Sequence, residues 1–214
     1  MISPVPRVIA FDLDGTLVDT MNAFADLAAL VMSTHHGQDV AEGRARYLET
    51  SGIPFCQQLD VIHPGHAANP RASDEFEARR RAITARTPMD DGSRRGLERL
   101  RERGIRLVVS SNTGQDFVDE FAAREPFRFD LALGFDPARG LAKGTPHFEA
   151  AMAHFGVARD DLLFVGDSIK DGEIAGAFGV RFIGRLGTFS LPQFEARFPS
   201  VVTIDNVDRL PDLF

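Results

Sequence analysis

Short apolar runs alternate with longer stretches of helical periodicity along most of this chain. The runs are Val8 to Phe11, Ile105 to Val109, Leu131 to Gly134, Leu162 to Val165, Val180 to Ile183 and Val201 to Ile204. Each is bounded by polar or Gly-containing segments, and repeated strand-helix alternation is the pattern of parallel strands joined by crossover helices. The intervening helices carry their own punctuation. Ser93 is expected to cap one that stops at Gly104, and Thr145 with Pro146 opens another that stops at Gly156. Serine caps, an early proline and a terminal glycine are ordinary start and stop signals. The fold expected is α/β, a doubly wound parallel sheet.

One segment breaks the alternation. Between Thr20 and Met89 no convincing strand occurs. The periodic positions Phe24, Leu27, Leu30 and Val31 predict a helix entered at Asp19-Thr20. A further helix is expected to begin at Ser73-Asp74-Glu75-Phe76 and to end at Pro88. Residues 20–89 therefore read as an inserted all-helical cap, and residues 1–19 with 90–214 as the core. An insertion placed directly after the first strand is expected to overhang that strand's carboxyl end, where open parallel sheets bind ligands.

Composition excludes several classes. With 43% hydrophobic and 26% charged residues, the 214-residue chain is an ordinary globular protein. Its net charge of -7 and the lack of a Lys/Arg block argue against nucleic acid. The start, Met1 to Arg7, has no apolar leader, and no run approaches the length of a membrane span. A cytoplasmic protein is expected, with no membrane partner and an oligomeric state that the sequence leaves open. Cys56 is the only cysteine. It excludes an intramolecular disulfide and is expected to be a small buried thiol.

The candidate chemistry lies at strand ends. Asp12-Leu13-Asp14-Gly15-Thr16 puts two carboxylates just past the first run, and Gly166-Asp167-Ser168-Ile169-Lys170-Asp171 puts two more past the fourth. Paired acids suit a hard cation such as Mg²⁺, which prefers carboxylate oxygens together with water and phosphate. A surface turn would explain the first pair and helix capping by Asp167 one acid of the second, but neither explains both. Ser110-Ser111-Asn112 ends the second run and leads into a helix near Gln115, a terminus suited to phosphate oxygens. Only Lys143 and Lys170 among 24 basic residues are lysines. A compact ammonium can neutralise neighbouring carboxylates and a phosphate together, which favours Lys143 as functional and leaves Lys170 for a solvated face.

These motifs, in this order, resemble the haloacid dehalogenase superfamily, in its branch of phosphatases with a helical cap inserted after the first motif. The resemblance implies that Asp12 is the nucleophile and Asp14 the general acid and base. It also implies that Asp12, Asp14, Asp167 and Asp171 surround Mg²⁺, and that Ser110, the amides of Ser111 and Asn112, and Lys143 hold phosphoryl oxygens. The substrate implied is a small phosphorylated metabolite, phosphoglycolate or a sugar phosphate. Many relatives carry proline directly after the lysine, where this chain has Gly144-Thr145-Pro146. Within the resemblance, Asp14 argues against dehalogenases, and a cap without lysine argues against phosphonate cleavage. A sugar-phosphate mutase and a non-enzymatic phosphate-binding module remain alternatives. The seven arginines and four histidines of residues 20–89 are candidate specificity groups, but eight acids in the same segment also allow a solvated face.

Overall fold

The computed structural model describes residues 3–214. Six strands form one sheet: β1 (Val8–Phe11), β2 (Arg106–Gly114), β3 (Leu131–Phe135), β4 (Leu162–Gly166), β5 (Arg181–Arg185) and β6 (Val202–Ile204). All pairings are parallel, and the order is β3-β2-β1-β4-β5-β6. The chain therefore winds outward from β1 in one direction and then restarts at β4 in the other. A crevice at such a switch point is where doubly wound sheets bind ligands.

Strand residues divide by parity between two apolar clusters. Ile9, Phe11, Leu107, Val109, Leu163 and Val165 face one side, where α5 (Asp91–Glu102), α6 (Gln115–Arg124) and the C-terminal Val207 and Leu210 pack. Val8, Ala10, Val108, Leu162 and Phe164 face the other, against α7 (Thr145–Phe155) and α8 (Ile169–Phe178). Burial on both faces is why these strands read as continuous apolar runs. β2 extends beyond its expected end because Gly114 still pairs with Phe135, past a register irregularity after Ser110.

One local expectation changes, one alternative falls and one expectation holds. The cap of α5 is Asp90, not Ser93: its carboxylate accepts from Ser93 N at 2.9 Å and from Ser93 Oγ at 2.6 Å. Ser93 lies at the third helical position, where it completes the cap. Asp167 does not cap α8, because Ser168 does, in a reciprocal capping box with Asp171. Lys170 takes the solvated position expected of it, beside Glu173.

Within α5, Gly96 packs against the C-terminal backbone so closely that a β-carbon would lie 2.5 Å from Val207 O and 2.8 Å from Asp208 Cα. Gly96→Ala should therefore destabilise the protein by about 1–3 kcal/mol through overpacking, despite alanine's roughly 1 kcal/mol better helix propensity. Urea denaturation followed by circular dichroism checks the sign.

The chain separates into two compact units, residues 1–18 with 89–214 and residues 19–88. The second is all-helical: α1 (Met21–His36), α2 (Val40–Glu49), α3 (Phe55–Ile62) and α4 (Asn69–Arg86). Its core gathers Phe24, Leu27, Val31, Tyr47, Phe55, Leu59 and Phe76, with the Phe55 and Phe76 rings 4.2 Å apart. Leu30, expected on the apolar stripe, is half exposed, and Ala28 and Met32 take the inner face instead. Cys56 is exposed, not buried. Helix α3 turns Phe55, Gln58 and Leu59 inward at helical spacing, which leaves Cys56 on the outer face. Helix α4 starts four residues before the expected Ser73, with Pro70 in its first turn. Arg44, Arg46, Arg79 and Arg80 pair with Asp26, Glu49, Glu75 and Glu77 of the same unit. The imidazoles of His36 and His63 stack at 4.1 Å, and burial lowers the pKa of both.

Candidate active site

Three carboxylates converge at the carboxyl ends of β1 and β4. Asp12 follows β1, and its own N–H donates to Val165 O across the strand pair at 2.9 Å. Asp167 and Asp171 follow β4, one just before α8 and the other in its first turn. All three are buried, and each offers an oxygen within 4.8 Å of the others. Lys143 reaches in from the loop before α7, its Nζ 2.8 Å from Asp12 Oδ2 and 2.6 Å from Asp171 Oδ1.

One ammonium among three buried carboxylates leaves uncompensated negative charge. Burial, opposed by Lys143 and reinforced by Asp171 and Asp167, pushes the Asp12 carboxyl well above its ordinary range. Burial together with Asp171 raises Asp167 to about 7, although the Thr188 hydroxyl and Lys143 oppose the rise. Lys143 is held protonated by Asp12 and Asp171 against its own burial. Such a set, all hard oxygen donors with excess negative charge, fits a divalent cation of the Mg²⁺ type.

The surrounding polar groups hold these side chains in place. Leu13 N donates to Asp12 Oδ1 at 2.8 Å, and Thr113 Oγ1 donates to Asp14 Oδ2 at 3.0 Å. Thr188 Oγ1 donates to Asp167 Oδ2, and Thr16 Oγ1 donates to Asp167 Oδ1 at 3.4 Å. Asp171 is tied to Ser168, whose N and Oγ both donate to Oδ2, at 3.1 and 2.7 Å. The acid expected near a metal therefore also completes the capping box of α8 and anchors the lysine.

The β2 end is less uniform than the sequence suggests. Ser111 Oγ accepts from Thr113 N at 3.0 Å, which leaves its own O–H to donate. Asn112 Oδ1 accepts from Lys143 N at 3.3 Å. Ser110 is completely buried and its hydroxyl lies 2.9 Å from His147 Nδ1, so it is engaged within the α7 side of the sheet. Gly144 has φ +108°, outside the range a proline ring allows, and its Cα passes Ile174 too closely for a β-carbon. The lysine loop thus takes a course that proline at this position would forbid. Sequence reasoning missed Thr113, Thr188 and His147. Thr113 lies two residues beyond a serine already singled out, whereas only the fold brings the other two to the site.

An acid cluster with a buried lysine at the switch point of a doubly wound sheet defines a class, and the chain belongs to it: residues 6–179 match the haloacid dehalogenase-like hydrolase family. It is an enzyme of the hydrolase type. A phosphoglycolate phosphatase of Pseudomonas syringae pv. tomato is 28% identical over 219 residues, covering 96% of this chain and 79% of the relative. That of Pseudomonas syringae pv. syringae is 30% identical over 190 residues, covering 82% and 68%. The fold is shared with CbbY from Rhodobacter sphaeroides, solved in complex with phosphate, at a TM-score of 0.72, 18% identity and 96% coverage of both chains. A haloacid dehalogenase-like hydrolase of Streptococcus pneumoniae superposes with a TM-score of 0.78 at 17% identity, covering 98% of this chain and 99% of that one. Among the described residues no helix is long and apolar enough to cross a membrane.

Proposed function

We propose that the chain is a Mg²⁺-dependent phosphatase that hydrolyses a small phosphorylated metabolite, of the phosphoglycolate or sugar-phosphate type, through an aspartyl phosphate on Asp12. The observation that carries this reading is the bridge from Lys143 Nζ to Asp12 and Asp171 inside a buried three-carboxylate cluster. The relatives named phosphoglycolate phosphatase supply the substrate class.

In this reading Asp12 attacks the phosphoryl group in line, as an ionised carboxylate that needs no base to activate it. Asp14, oriented by the Thr113 hydroxyl, gives a proton to the leaving alcohol and later takes one from the hydrolytic water. Lys143, the Ser111 hydroxyl and the Asn112 amide hold phosphoryl oxygens, so that charge is neutralised in a preorganised site. Asp12, the backbone carbonyl of Asp14 and Asp167 would hold Mg²⁺, with Asp171 beside them. The bound cation would supply the positive charge that keeps Asp12 ionised and offsets the charge of the phosphoryl group. The helical unit of residues 19–88 is assigned the role of a cap that selects the substrate and excludes water.

The test is phosphate release by purified protein from a panel of phosphorylated metabolites. Release is expected with Mg²⁺, should vanish with excess chelator, and should return when Mg²⁺ is restored. A clean negative across the panel, or turnover that survives full chelation, sinks the reading. Isomerisation of a sugar phosphate with little free phosphate would show a mutase instead.

A further inference from the structure

Buried beneath the lysine loop is a histidine that the reaction does not use. His147 is 1% exposed, in the first turn of α7, four residues after Lys143. Its Nε2 lies 3.0 Å from Gly134 O on β3, and its Nδ1 lies 2.9 Å from Ser110 Oγ on β2. A carbonyl only accepts, so Nε2 carries the hydrogen, and Nδ1 accepts the Ser110 hydroxyl. The neutral Nε2–H tautomer satisfies both ring nitrogens. Burial, with the charge of Lys143 nearby, lowers the His147 pKa to about 4, which keeps that form across the working range.

We infer that His147 is a positioning residue for the proposed hydrolysis: by clamping the start of α7 to β2 and β3, it fixes where the Lys143 ammonium stands. The proposal rests on the phosphatase reading above. Only Gly144-Thr145-Pro146 separates the clamp from the lysine, and Pro146 stiffens that link. A second tie, Asn112 Oδ1 to Lys143 N, joins the same β2 end to the same loop. Lys143 must serve Asp12 and Asp171 at once, at 2.8 and 2.6 Å, so small displacements of its backbone break one contact or both. Ser110 is thereby assigned to support of the lysine arm, and phosphate binding falls to Ser111. An aliphatic side chain in place of His147 would leave the Ser110 hydroxyl and the Gly134 carbonyl buried without partners.

Steady-state kinetics on the best substrate of the panel, with thermal melts of each variant, test this. His147→Leu should lower kcat by about 10- to 100-fold, with KM changed by less than about threefold, since the placement of the ammonium counts for more against the charge that develops in the transition state than against the bound substrate. His147→Asn, whose amide can stand at the Nδ1 position and hold Ser110, should recover at least about tenfold of that loss. Ser110→Ala should lower kcat by roughly 3- to 10-fold in the same pattern, and it carries the test if the leucine variant does not fold. ¹⁵N resonances of the His147 ring should report the Nε2–H tautomer unchanged from about pH 8 to pH 5. A folded His147→Leu with kcat within about twofold of the parent, or a KM rise in Ser110→Ala that matches its loss of kcat/KM, would overturn the proposal. An Nδ1–H tautomer at neutral pH, which would leave Nε2 facing the Gly134 carbonyl without a hydrogen, would do the same. Absence of hydrolysis by the parent enzyme would overturn the phosphatase reading first, and this proposal with it.

Discussion

Asp12→Asn is expected to reduce phosphate release by at least about 10⁴-fold, because the variant keeps the shape of the side chain and loses the carboxylate proposed to attack. Asparagine can still accept the Leu13 amide, which stands 2.8 Å from Asp12 Oδ1. The backbone bond from residue 12 to Val165 is untouched. The fold should therefore survive. It should even gain stability in metal-free buffer, since a buried acid that repels Asp167 and Asp171 is removed. Calorimetric binding of substrate by the inactive variant, with a melting temperature no lower than the parent's, would separate lost chemistry from lost structure. Hydrolysis within a hundredfold of the parent rate would remove Asp12 from the nucleophile's role.

Asp167→Asn should raise the melting temperature of the metal-free protein at pH 8 by roughly 5–10 °C, and the further rise expected of the parent on adding Mg²⁺ should be lost. The Asp167 pKa is raised to about 7 in the folded protein from its ordinary 3.8, because burial and Asp171 oppose ionisation. The folded state therefore binds this proton more tightly than the unfolded chain does. Stability must fall as pH rises from about 4 to about 7 and then level off, with a total cost on the order of a few kcal/mol above pH 7. A neutral amide removes that cost, so the gain should be large at pH 8 and small near pH 4.5. Thermal melts in chelator at the two pH values read it. Equal melting of parent and variant at pH 8 would mean that Asp167 carries no such charge penalty.

Some of the site is legible in one dimension because parallel strands end where their apolar runs end. Asp12 after Phe11, and Asp167 after Gly166, can be placed at a sheet edge without coordinates, since both strands are buried on both faces and their runs are uninterrupted. Lys143 stands out by type, in a chain that otherwise uses arginine. The serine pair is harder. Ser110 and Ser111 are chemically alike in sequence, and the choice between them depends on which face of β2 each one takes and on what stands there. Ser110 shares its face with Val108, towards α7, where His147 waits 37 positions later. Thr113 meets Asp14 across 99 positions, and Thr188 meets Asp167 across 21. No local pattern announces a hydroxyl that acts only after loops from different strands have met.

Capping shows the same division at shorter range. Ser93 and Asp90 are both good cap residues, and local propensity does not separate them; the Asn206 side chain, which donates to Asp90 Oδ1 from 116 positions away, joins the cap at Asp90. Cys56 and Leu30 lie at plausible apolar positions and are nonetheless exposed. Which side of a helix is inner is decided by the helices packed against it.

The sequence by itself determined the alternation of strands and helices, the helical insertion and the four acids with their lysine. These depend on periodicity, punctuation and residue type, all local properties of the chain. Tertiary structure alone decided that Lys143 joins Asp12 to Asp171, that Asp171 both caps a helix and anchors that lysine, and that Ser110 serves His147. Each of those contacts is a distance between side chains on different elements, set by sheet order and register, and no local feature of a sequence encodes a distance of that kind.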